Sequence, residues 1–146
     1  MGGTRTLLGG GAIRHVWRDQ RGVAVIEMAL ALPILVMLLF AIVSYGSWLS
    51  LANVVQQSAN EAARAAVAGL TAGERATLAQ QTATTTLGRS YEIPASRVAV
   101  AVADDGSTLA VTVAYDATGN ALLAMPLIPK PPTRIARTAA ILVSRP

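Results

Sequence analysis

Glu27 is the carboxylate whose position calls for chemistry. It stands four residues after Val23 and five after Gly22, at the head of the most apolar run in the chain. An ionised acid inside hydrocarbon costs about 2.5 kcal/mol or more, so a carboxylate there implies solvation at a membrane edge or a specific partner. Arg21 and Arg18 are near enough in sequence to supply a cation. The other reactive groups form no set. Cysteine is absent, which excludes disulfides, thiolate zinc sites and a cysteine nucleophile. The single histidine, His15, precedes the apolar run, so the serines and threonines beyond it lack an imidazole base. Asp104 and Asp105 are adjacent acids, but Gly106 and Ser107 follow them, and turn chemistry accounts for both. No catalytic residue, metal ligand or cofactor is assigned, and the chain reads as a non-enzyme.

The element that must position Glu27 follows from hydropathy. The sequence is 53% hydrophobic and 14% charged, against about 25% charged in a soluble domain, so much of its surface is not made for water. From Met28 to Asn60 no residue is charged, and Met28–Val43 reads MALALPILVMLLFAIV. A helix needs about 20 apolar residues to cross a bilayer. A soluble core helix would show a polar face, which is missing here. Residues 23–49 are therefore read as a single transmembrane helix in contact with lipid. Arg5, Arg14, Arg18 and Arg21 precede it against one acid, Asp19, whereas Glu61 and Arg64 cancel beyond it. Basic excess marks the cytoplasmic side, which puts the N-terminus inside and the C-terminal domain outside. The net charge of +4 is then largely a topology signal. Arg75, Arg89, Arg97, Arg134 and Arg137 are scattered, with Tyr91 the only nearby aromatic, so no nucleic-acid partner is expected. A cleaved secretory signal would explain the basic start, and Ser50-Leu51-Ala52 loosely resembles its cleavage site. The apolar run is longer than the usual 7–15 residue core of such signals, and it opens on an acid.

Arg21-Gly22, four apolar residues, then Glu27 at the mouth of a hydrophobic helix resembles the processing site of type IV prepilins and pseudopilins. Leu32-Pro33 with its aliphatic run, Ser44-Tyr45-Gly46 and Asn60-Glu61-Ala62-Ala63-Arg64-Ala65-Ala66 extend the likeness. Over Arg21 to Val67 the chain resembles the TadE-like family of the tight-adherence pilus systems. The resemblance implies a minor pseudopilin: a bitopic protein of the bacterial inner membrane with a short extracytoplasmic domain. It also implies a prepilin peptidase that cuts between Gly22 and Val23, and partners among other pilin or pseudopilin subunits and the inner-membrane assembly platform. Met28 departs from the phenylalanine or tyrosine that often follows the glutamate in the family. In that frame the spacing has a physical sense. A cut at Gly22 frees an α-amino group on Val23, cationic below a pKa of about 7.7–8.0. A carboxylate one helical turn along can neutralise that amine on its own chain or a neighbour's, fixing the axial register of subunits, because an unpaired buried charge is costly. Pro33 cannot donate to the carbonyl of Ala29 and is expected to kink the helix.

Beyond the membrane the helix is expected to continue to Gly69, a C-capping residue. Ala52, Ala59, Ala63 and Ala66 form a small-residue stripe on it, suited either to close subunit contact or to packing on the chain's own C-terminal domain. Thr71 and Glu74 match a capping box, predicting a second helix from Ala72 to Leu87 that stops at Gly88. Val98, Val100 and Val102, then Leu109, Val111, Val113 and Tyr115, alternate about Asp105-Gly106 and predict a hairpin. Ala117–Pro132, with four prolines, reads as a loop, and Thr138–Val143 as a third strand. The expected fold is α+β: a long N-terminal transmembrane and extended helix, a short second helix and a small three-stranded antiparallel sheet. The expected divisions are a basic leader over 1–22, the span over 23–49, its extracytoplasmic continuation over 50–69 and the α+β domain over 70–146. An uncleaved single-pass anchor carrying an extracytoplasmic scaffold or binding module is the alternative, and Gly22 discriminates, since an anchor has no use for a cut there.

Overall fold

Alanine and leucine, which cost least in helical backbone, dominate the first half of the chain, and one helix results. The computed structural model describes residues 20–143, so the basic leader lies almost wholly outside the described residues. Helix α1 runs over Gln20–Val67 with Pro33 inside it. Two units, Met1–Ile34 and Leu35–Pro146, are separable. Of the first, the described part is helical, and the side chains from Gly22 to Ile34 are exposed.

The second unit holds the core. Ala68 and Gly69 donate to the carbonyls of Ala65 and Ala66 at 3.2 and 3.1 Å, ending α1 where its glycine was expected to stop it. Gly69 is required by close approach: a Cβ there would lie 2.7 Å from the Arg75 nitrogen. Helix α2, Ala72–Tyr91, opens on the expected capping box. The Glu74 amide donates to Thr71 Oγ1 at 3.2 Å, and the Thr71 amide donates back to Glu74 Oε2 at 3.0 Å.

The expected stop of α2 at Gly88 is corrected. The helix continues to Tyr91 and closes on Glu92, whose φ of 52° is left-handed and whose N–H reaches the Gly88 carbonyl. Leu87 and Ile93 are both buried, which holds the last turn down. Glycine inside a helix costs only about 1 kcal/mol, less than that anchorage returns. Pro94 sets the limit, because it drives the residue before it towards extended backbone.

A short 3-10 turn, Ala95–Arg97, leads into three strands: β1 Val98–Asp104, β2 Thr108–Asp116 and β3 Arg134–Leu142. Their order is β1-β2-β3 and both pairings are antiparallel. The hairpin alternation holds, with Val98, Val100 and Val102 opposite Tyr115, Val113 and Val111. β3 starts four residues earlier than Thr138, because pairing with β2 extends through Ile135 opposite Tyr115 to Arg134 opposite Asp116. The fold is thus α+β.

The core joins Leu51, Val55 and the alanines of α1 to Ala79, Ala83 and Leu87 of α2 and to Leu109, Val111, Val113 and Ile135 of the sheet. Ala52, Ala59, Ala63 and Ala66 are all buried in it, so the small-residue stripe packs on the chain's own domain. Ser58 Oγ donates to the Ala83 carbonyl at 3.3 Å, and Thr86 Oγ1 donates to the Glu61 carboxylate, locking α1 to α2 along that seam.

Candidate processing and packing site on the N-terminal helix

Gly22, Val23, Glu27 and Pro33 lie on one continuous stretch of α1. Glycine at position 22 leaves its backbone uncovered: a Cβ there would meet nothing within 4 Å. Val23 and Glu27 are four residues apart on a helix, so their side chains share one face. Both are exposed. Arg21 is helical in its backbone, as is Gln20.

Pro33 is held within the helix, so the carbonyl of Ala29 receives no amide from it. In a membrane such a carbonyl is satisfied by neighbouring helices, side chains or water.

Among the described residues, the side chains around Glu27 are apolar. Val23, Val25, Ile26, Met28, Leu30, Leu32 and Ile34 are each more than half exposed. In the second unit Leu35, Leu38, Leu39 and Ile42 are likewise exposed. The most apolar 18-residue window of α1 is entirely unburied, and this is one helix long and apolar enough to cross a membrane, near the N-terminus. A soluble domain does not leave such a surface to water, since apolar area is worth about 25 cal/mol per Å² when removed from it. The finding agrees with a membrane anchor.

This stretch of helix is similar to a known family. Residues 22–64 match the family model described as TadE-like protein. No curated protein and no solved structure matches the chain. The TadE-like segment begins on Gly22, includes Glu27 and Pro33, and ends at Arg64, near the end of α1. With the apolar helix, it fits a membrane protein associated with the Tad pilus and an association with pilus components in general.

The adjacent acids Asp104 and Asp105 serve the fold. Asp105 Oδ1 accepts from the amides of Ser107 at 2.9 Å and Thr108 at 2.6 Å, and those amides hold its carboxyl below the usual range. Asp104 accepts from the Gly106 amide at 2.9 Å and pairs with Arg75. The adjacent pair is therefore divided between a turn and an ion pair.

Two contacts were not anticipated. Tyr45 Oη donates to the Pro129 carbonyl at 3.2 Å, and Trp48 Nε1 to the Pro132 carbonyl at 3.0 Å. The available signal was a tyrosine and a tryptophan three residues apart at the end of an apolar run, the pattern of a membrane-interface belt.

Proposed function

We propose that this chain is a minor-pseudopilin-like, bitopic inner-membrane protein that serves assembly of a tight-adherence pilus or a related secretion apparatus. It is inserted with its N-terminus in the cytoplasm and its α+β domain outside. A prepilin peptidase cuts the Gly22–Val23 bond, and the freed helix packs against other pilin or pseudopilin subunits at the assembly platform. The observation that carries this reading is the carboxylate of Glu27 at the head of the apolar run, on a helix segment that matches the TadE-like family model, with the apolar side chains around it exposed. That surface needs lipid or other helices, and the carboxylate needs a cation at the depth it occupies. The amine released on Val23 is such a cation, one helical turn away.

Arg21 is the last basic residue of the leader that the cut removes. Glycine at 22 lowers helix propensity by about 1 kcal/mol relative to alanine, which eases the local unwinding a protease requires. Pro33 kinks the span or acts as a hinge between subunits. The reading assigns no enzymatic activity and no cofactor.

The test is to express the chain with the peptidase of its own pilus system and read the N-terminus by mass spectrometry. The expected mature chain begins at Val23. A chain that keeps its leader while a sibling pilin is cut in the same cells would leave the uncleaved anchor instead.

A further inference from the structure

The connection from β2 to β3 carries more apolar surface than its fold uses. It opens with the Ala117 amide donating to the Thr133 carbonyl at 2.8 Å and a short 3-10 turn, Ala121–Leu123, capped by Asn120. Leu123 is buried, but Leu122 is 47% and Leu127 67% exposed. Leu127 also has a φ of 70°, a left-handed conformation that a bulky side chain rarely adopts. Backbone strain of that kind persists only where the surroundings hold it, and it gathers at functional positions.

The height of this loop on the helix is fixed by Tyr45 and Trp48, which donate to the Pro129 and Pro132 carbonyls. These aromatics follow directly on the exposed apolar residues Leu35, Leu38, Leu39 and Ile42. A hydrocarbon core takes about 20 helical residues, and counted from Glu27 it ends near Ser47. Tyrosine and tryptophan favour that boundary, their rings in the apolar layer and their polar atoms at the headgroups. The loop is thus tied to the turn of α1 where lipid gives way to water. Lys130, exposed between Pro129 and Pro131, has an apolar stem that can lie along acyl chains and an ammonium that can reach lipid phosphates.

We propose that this connection is a second lipid-binding element, with Leu122 and Leu127 inserted among the acyl chains of the outer leaflet and Lys130 at its phosphates. Tyr45 and Trp48 tie it to the end of the exposed apolar stretch of α1, so one bilayer can cover both. The proposal rests on the reading that α1 spans the membrane, and its consequence is a head domain held against the bilayer at two places.

The absence of native cysteine makes single-site labelling direct. Leu127→Cys, Leu38→Cys in the span and Ser107→Cys at the far end of the sheet are each labelled with an environment-sensitive fluorophore. The full chain is placed in vesicles of phosphatidylethanolamine and phosphatidylglycerol. Quenching by nitroxide lipids and by aqueous iodide is then read. For Leu127→Cys, quenching by shallow nitroxide lipids is expected, with iodide quenching about fivefold weaker than for Ser107→Cys, as for a side chain buried in the headgroup boundary. Iodide access equal to that of Ser107→Cys, with Leu38→Cys still quenched by lipid, overturns the loop proposal alone. Protection from both quenchers at Leu127→Cys also overturns it, because protein then covers the loop. Iodide access at Leu38→Cys overturns the span and the loop proposal with it.

Discussion

The Arg75 guanidinium on α2 pairs with the Asp104 carboxylate at the end of β1, and the same side chain donates through Nε to the Gly69 carbonyl at 2.9 Å. One nearly buried cation therefore ties the end of α1, the start of α2 and the hairpin together. Gly69 leaves the room for it, since the Arg75 backbone and Cγ occupy the place of a Cβ. Breaking a buried pair from one side strands the other charge, which costs about 3–5 kcal/mol when both are fully buried. Asp104 keeps some solvent contact, so the cost here is smaller.

Arg75→Met is expected to destabilise the head domain by about 1–3 kcal/mol, and Asp104→Asn by a similar amount, with the double variant recovering part of the sum. Thermal unfolding of the full chain in micelles, followed by near-ultraviolet circular dichroism, measures all three. Strictly additive losses would show that the two groups do not sense each other.

Acid should weaken the same domain. Glu61 is held below the ordinary carboxylate range by the Thr86 hydroxyl and then the Gln57 amide. Glu74 is lowered by the backbone amides of Leu70 and Thr71, Asp105 by those of Ser107 and Thr108, and Asp116 by the hydroxyl and amide of Thr118. A carboxyl whose folded pKa lies below its unfolded one contributes stability above the unfolded value, and loses it as pH falls through the folded value. Melting temperature is therefore expected to be level above about pH 5 and to fall below about pH 4. Glu74→Gln should flatten part of that fall, because it removes the titrating half of the capping box. An acid limb unchanged by Glu74→Gln would remove this group from the account.

Ser44 carries the opposite kind of defect. It is fully buried, and its hydroxyl has no hydrogen-bond partner among the described residues. Its neighbour Ser47 shows the alternative, donating to the Val43 carbonyl at 2.7 Å. An unsatisfied buried hydroxyl is a net cost, and alanine is also the better helix former. Ser44→Ala is expected to leave stability unchanged or raise it by up to about 1 kcal/mol, read as a melting-temperature shift in the full chain. A clear loss would mean that the hydroxyl is bonded after all.

Local chemistry was legible and distant chemistry was not. Thr71 and Glu74 announced the start of α2, and the valine alternation about Asp105-Gly106 announced the hairpin, because each signal sits within a few residues. The end of α2 was hidden because it depends on Leu87 and Ile93 finding the core, which glycine at 88 does not reveal. The start of β3 was hidden because Arg134 and Arg137 interrupt the apolar pattern. Arg137 stands opposite Val113 in the sheet, with its guanidinium over the Trp48 ring, 5.9 Å from the centroid. The ties of Tyr45 and Trp48 to Pro129 and Pro132 span 84 residues each, a separation at which no sequence pattern speaks. Glu27 draws attention for the opposite reason: an acid at the head of an apolar run stands out by its cost alone.

That cost makes Glu27 the residue on which assembly should turn. If its carboxylate pairs with the amine freed on Val23, removing it leaves the amine uncompensated in the packed helix bundle. The helix itself becomes more apolar, so insertion should improve or stay level. Glu27→Ala is therefore expected to insert and be cut at the Gly22–Val23 bond like the parent, while pilus assembly falls about tenfold or more, the factor that about 1.4 kcal/mol of lost pairing produces. Glu27→Asp keeps the charge on a shorter arm and should retain part of the assembly. Immunoblots of membrane and sheared-pilus fractions separate the steps. Normal piliation with Glu27→Ala would show that the carboxylate sets no register, and failed insertion would show that it acts before any partner is met.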